Sequence, residues 1–184
     1  MRVLSIAARR GAWHSGGFEA FWIAFALALV LVVPACASSG LPPTAESRLL
    51  GKPLPDFHRA TLAGSNMDTS ELRGRTVVVK FFAQYCEPCK RTLPLAERLH
   101  REHPEVVFIG VSEDEYATTA RSVGETYGLS FPIIHDAGKA LLGRFRVSEL
   151  PVTFVADSRG MVRWVGGPAQ SESDLGRALE AVAE

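Results

Sequence analysis

Cys86-Glu87-Pro88-Cys89 follows closely on the apolar run Thr76-Val77-Val78-Val79-Lys80-Phe81-Phe82. Two thiols at this spacing can carry an electron pair by making and breaking one disulfide. Their position supplies the chemistry, because a helix that begins here presents about half a positive charge and several free backbone N–H groups. Both favour a thiolate, so the first cysteine should titrate well below the free value of about 8.5. Pro88 suits the first helical turn, where its missing N–H costs nothing. A Cys-x-x-Cys pair also occurs as half a zinc site or as a plain structural bridge. Zinc needs two further ligands, yet the only other cysteine is Cys36 and no closely spaced histidine pair follows. A bridge closing so short a loop adds little stability. Strand, Cys-x-x-Cys and helix in that order read as a redox couple.

The flanking elements must hold this pair. Thr76–Phe82 is β-branched and aromatic without alternation, which predicts a strand buried on both faces. Pro88–Glu102 places Leu93, Ala96 and Leu99 at helical spacing, with Pro94 inside as a source of a kink. Val106–Val111 reads as a second buried strand, Tyr116–Tyr127 as a polar helix stopped by Gly128, and Phe131–Ile134 as a short extended piece. Ala137–Phe145 reads as another short helix. Val152–Ala156, a turn at 157–160 and Met161–Val165 form a hairpin, and Asp174–Val182 a closing amphipathic helix. Ahead of these, Phe57–Leu62 and Asn66–Asp68 around Gly64-Ser65 form a small hairpin. Strands alternating with helices give an α/β domain.

The chain of 184 residues is 22% charged and 47% hydrophobic, with zero formal net charge. There is no basic excess to hold nucleic acid and no acidic tail. Arg2, Arg9 and Arg10 precede the uncharged run Phe21–Val33, which is shorter than the roughly 20 residues of a membrane span. Basic start, apolar middle and small-residue exit describe a secretory signal over residues 1–35. The exit Val33-Pro34-Ala35-Cys36-Ala37 resembles the bacterial lipobox, which makes Cys36 a lipidation site. Acyl chains there, contributing about 0.8 kcal/mol per buried methylene, would hold the protein at a membrane surface. Residues 36–50, with Ser38-Ser39-Gly40 and Pro42-Pro43, read as a flexible tether, and residues 51–184 as the folded domain. An oxidising extracytoplasmic compartment, on the periplasmic side or at the cell surface, suits disulfide exchange.

The stretch Val79–Lys90, carrying Tyr85-Cys86-Glu87-Pro88-Cys89, resembles the thioredoxin-fold active site. Glu149-Leu150-Pro151-Val152-Thr153-Phe154, about 60 residues downstream, resembles that fold's proline loop. With Gly51-Lys52-Pro53-Leu54-Pro55-Asp56-Phe57, the domain resembles the membrane-anchored TlpA/ResA-like thiol-disulfide oxidoreductases, within the redoxin group that includes peroxiredoxins. The resemblance implies a thioredoxin-like α/β fold, a central mixed sheet flanked by helices with an N-terminal β-hairpin extension. It makes Cys86 the attacking thiol and Cys89 the resolving one, with no cofactor beyond their disulfide and no metal. It implies a cis bond before Pro151 that leaves the Leu150 backbone to pair with an extended substrate segment. Tyr85 replaces the usual tryptophan as a flat cover, and Glu87 and Pro88 tune the couple. Implied partners are proteins bearing cysteines or disulfides, apocytochrome c among them, and a transmembrane electron donor. The implied direction is reduction.

Two further departures from the pattern matter. Lys80 stands where many thioredoxins have a buried acid, and a wet edge of the sheet is its expected place. Thr92 stands where ResA-like proteins resemble one another in having a glutamate, which leaves Glu87 and Glu149 as candidate acids. His135 is expected at the surface, and Glu113-Asp114-Glu115 invites a metal reading. A thiol peroxidase is an alternative, although Ala83 holds the position of that group's threonine and no proline lies in 76–85. Another is a copper- or haem-handling protein without turnover.

Overall fold

The computed structural model describes residues 42–183; the signal segment and Cys36 lie outside the described residues. A central five-stranded sheet has the order β5-β4-β3-β6-β7. Its members are β3 (Val77–Phe82), β4 (Val107–Ser112), β5 (Ile133–His135), β6 (Val152–Ala156) and β7 (Val162–Gly166). β3 runs parallel to β4, and β4 to β5, whereas β3–β6 and β6–β7 are antiparallel. The strand that leads into the cysteines is therefore the middle one. All six of its residues are buried, Lys80 included, which is why its sequence shows no alternation. A separate hairpin pairs β1 (His58–Ala60) with β2 (Asn66–Asp68).

The two sheet faces carry different cores. Val79 and Phe81 point toward one that holds Leu141, Phe145, Phe154 and Val165, reached also by Leu54 and Phe57 from the N-terminal segment. Val78 points to the other, with Leu95, Ala96 and Leu99 of α1 (Glu87–Glu102) and Leu175 and Leu179 of α4 (Glu172–Ala183). Phe82, on that same face by the period of two, packs with Cys86, Cys89 and Leu93 of α1 and Val123 of α2 (Ala117–Thr126). The short α3 (Ala140–Arg144) starts later than its sequence predicts, because Asp136 Oδ2 accepts from the amides of Leu141 and Leu142 and Lys139 turns through a positive φ. α1 continues through Pro94 as one helix.

Of the flexible tether expected over 36–50, residues 42–50 are described, and they are held against the domain. From residue 42 onward the chain is bound to β7: Trp164 Nε1 donates to the Pro42 carbonyl, Thr44 N to Val165, and Gly51 N to Val162. Ala45 and Leu49 pack against the core. Proline and serine set the composition of a linker, but the unpaired side of an edge strand gives this one hydrogen-bonding partners.

Candidate active site

Cys86 is the residue that caps α1. Its backbone is extended, φ −82° and ψ 99°, and its sulfur accepts from the Cys89 amide at 3.2 Å. The two cysteines form a disulfide with S–S 2.05 Å and Cα–Cα 5.3 Å. Cys89 is fully buried and Cys86 is 6% exposed. The peptide bond between Leu150 and Pro151 is cis. Tyr85, 71% exposed, stands at the rim of a groove of about 490 Å³ shared with Cys86, Glu87, Pro88, Glu149 and Leu150. The sequence motifs at 85–88 and 149–150 thus converge on one surface. Neither the amide nor the carbonyl of Leu150 takes a hydrogen bond among the described residues.

The far wall of that groove was not legible in either motif. Lys139, Leu142, Val147 and Ser148 form it, supplied by α3 and the turn that precedes the proline loop. Their closeness in sequence to Pro151 is the one signal that points to them.

The acids and bases fall differently from their expected places. Glu87 is exposed and paired with Lys90 at 2.6 Å, one turn along the helix, and Glu149 is exposed as well. Thr92 is buried, its hydroxyl donating back to the carbonyls of Pro88 and Cys89. Lys80 is not at a wet edge. It is 1% exposed, and burial pushes its amine down to about 7; Nζ donates to Thr153 Oγ1 at 3.3 Å. The middle position of β3 removes any edge from it. His135 is half-buried rather than a surface residue, because β5 pairs with β4 and brings its ring Nε2 within 2.8 Å of the Asp114 carbonyl. Of the acidic run, Glu115 is exposed but Glu113 and Asp114 are buried. Asp114 accepts from the Gln84 amide and the Ser112 hydroxyl. Both oxygens of Glu113 lack a partner among the described residues, and burial, then the charge of Asp136, raises it to about 8.

The model of the AhpC/TSA family matches residues 50–165. The chain belongs to that family. Within it, the chain is a ResA-like thiol-disulfide oxidoreductase. It is 30% identical over 119 residues to the thiol-disulfide oxidoreductase ResA of Bacillus thuringiensis, covering 64% of this chain and 69% of that one. It is likewise 30% identical over 132 residues to ResA of Bacillus subtilis, covering 70% of this chain and 73% of the other. A secreted Mycobacterium tuberculosis disulfide oxidoreductase homologous to E. coli DsbE shares the fold, with a TM-score of 0.63 at 24% identity over 70% of this chain and 96% of that chain. In this AhpC/TSA member the strand–disulfide–helix unit and the proline loop supply the parts that thiol-disulfide exchange requires.

Proposed function

We propose that the protein exchanges disulfides with cysteine-bearing protein substrates on the outer side of a membrane, held there through Cys36, and works mainly as a reductase. One observation carries this reading: Cys86, at the positive end of α1, opens on a groove whose opposite rim offers the unpaired backbone of Leu150. An extended substrate segment would add there as a strand, bringing its disulfide against Cys86. The Cys86 thiolate attacks, giving a mixed disulfide and releasing one substrate thiolate. Cys89 then attacks the Cys86 sulfur, and the second substrate thiolate leaves. The Cys89 amide and the helix dipole favour the Cys86 thiolate at the start. No cofactor beyond this couple enters the scheme, and a transmembrane donor would return the dithiol. Apocytochrome c is a substrate of the right kind.

Replacing Cys89 with alanine should freeze the mixed disulfide and allow captured partners to be identified by mass spectrometry. No enrichment over a Cys86→Ala, Cys89→Ala control would count against protein substrates. Direction follows from the reduction potential, about 30 mV corresponding to about 1.4 kcal/mol for two electrons. A potential as high as that of strong oxidants would reverse the reductase reading.

A further inference from the structure

The Cys89 thiol has no solvent to give its proton to, and neither Glu87 nor Glu149 is buried beside it. Lys80 occupies the interior on that side. Val78 packs with Leu95, Ala96 and Leu99, and Phe82 with Cys89 and Leu93. Lys80 lies between them on the same face of β3, the face on which α1 packs through Leu93, Leu95, Ala96 and Leu99. Across the sheet it shares one row with Gly110 of β4, Thr153 of β6 and Gly166 of β7. Directly opposed residues share a face, and the glycines on either side of Lys80 and Thr153 leave that row without other polar side chains. Past Gly166 the next polar group is Gln170, buried with both amide atoms unpartnered and its Oε1 2.3 Å from where a Gly166 Cβ would stand. Gln170 lies in a loop between exposed Ala169 and Ser171.

We infer that Lys80 is the proton acceptor for Cys89 in the step that resolves the mixed disulfide, with Thr153 positioning its amine. The inference rests on the exchange reading above and names a residue for its second half. In that step the Cys89 S–H proton moves to the neutral Lys80 amine. The resulting thiolate attacks the Cys86 sulfur, the Cys86–Cys89 bond forms as the bond to substrate sulfur breaks, and substrate leaves as a thiolate that takes a proton from water. Lys80 holds that proton until the disulfide is next reduced, when Cys89 leaves as a thiolate and takes it back. An amine works here only if it is neutral near working pH, and burial provides that. Once protonated, it stands beneath the new thiolate as an opposite charge. No acidic side chain shifts it. Its amine donates to Thr153 Oγ1 of β6, and its cross-strand neighbour on β4, Gly110, presents no side chain. Two of the buried acids are held elsewhere, Asp114 by Gln84 and Ser112, and Glu97 by Ser130 and Arg101.

The test separates the two half-reactions. Reduced protein is mixed with a chromogenic aryl disulfide and thiol release is followed across pH. The first release reports attack by Cys86 and the second resolution by Cys89. Lys80→Met should leave the first release unchanged, slow the second about a hundredfold, and move its pH midpoint upward from about 7. An unchanged second release in Lys80→Met overturns the inference. Absence of the first release in the unaltered protein overturns the exchange reading itself, and with it this step. Should Lys80→Met fail to fold, NMR titration of the Lys80 amine in the unaltered protein decides the matter. A midpoint that differs between dithiol and disulfide forms supports the inference, and identical midpoints overturn it.

Discussion

Glu113 lies buried beside Asp136 at the end of β4, and neither of its oxygens is hydrogen-bonded among the described residues. Folding therefore raises its pKa from 4.5 to about 8. A carboxyl raised in this way contributes fully below pH 4.5, and its contribution is lost as pH climbs through the folded value. Glu113→Gln should thus gain stability over the unaltered protein between pH 4.5 and pH 8, by a few kcal/mol at the upper end, each unit being worth about 1.4 kcal/mol. Lys80 titrates in both proteins and cancels in the difference. Urea midpoints measured across this window check it, and parallel pH curves would sink it. Asp136→Asn should lower the Glu113 midpoint, since the Asp136 charge is the second cause of the shift.

Tyr85 is the largest exposed aromatic at the groove. If an extended substrate seats there, Tyr85→Ala should lower kcat/KM toward a protein disulfide about tenfold, or about 1.4 kcal/mol. Turnover of a small aryl disulfide should hardly change. Equal losses on both substrates would mean that Tyr85 acts on the cysteines and not on the partner.

Gly166 and Gly143 should respond oppositely to alanine. A Cβ on Gly166 would stand 2.3 Å from both the Trp164 ring and Gln170, so Gly166→Ala should cost about 1–3 kcal/mol. Gly143 sits in α3 with nothing within 4 Å, and Gly143→Ala should gain about 0.5–1 kcal/mol. Denaturant unfolding measures both.

Cys36 bears on location. Cys36→Ser should shift the protein from the membrane fraction to the soluble fraction and abolish labelling by a radioactive fatty acid. Persistence in the membrane with no label on either form would instead point to an uncut apolar segment.

The parts of this fold that were legible in sequence are those where residue type and period agree. Val77–Phe82 could only be a doubly covered strand, and Pro88 and Leu93–Leu99 fixed where α1 begins and which face it buries. What stayed hidden depends on strand order. Nothing near Lys80 says that β3 is the middle strand, so a lysine there reads as an edge residue until β4 and β6 close over it. Glu113 sits in a Glu-Asp-Glu run that in sequence invites a metal reading, yet the turn after β4 carries its first two members inward. Residues 42–50 have a linker's composition, and only the neighbouring β7 turns them into structure. At the site, Cys86 and Leu150 were visible because each lies in a motif. Lys139 and Val147 were not, because their part is played by position alone.

The strap from Pro42 to Pro53 has a counterpart at the opposite margin of the sheet. There Thr61 bridges to Ile134 and the Leu62 amide donates to the Ile133 carbonyl, beside β5. Both borders are therefore occupied, with Pro53 bridging Met161 at the first. Open borders would invite indiscriminate strand pairing with other chains. With the borders sealed, the unpaired Leu150 backbone beside the disulfide is the berth at which the proposed substrate segment would pair, held where its sulfurs can be exchanged and free to leave afterwards.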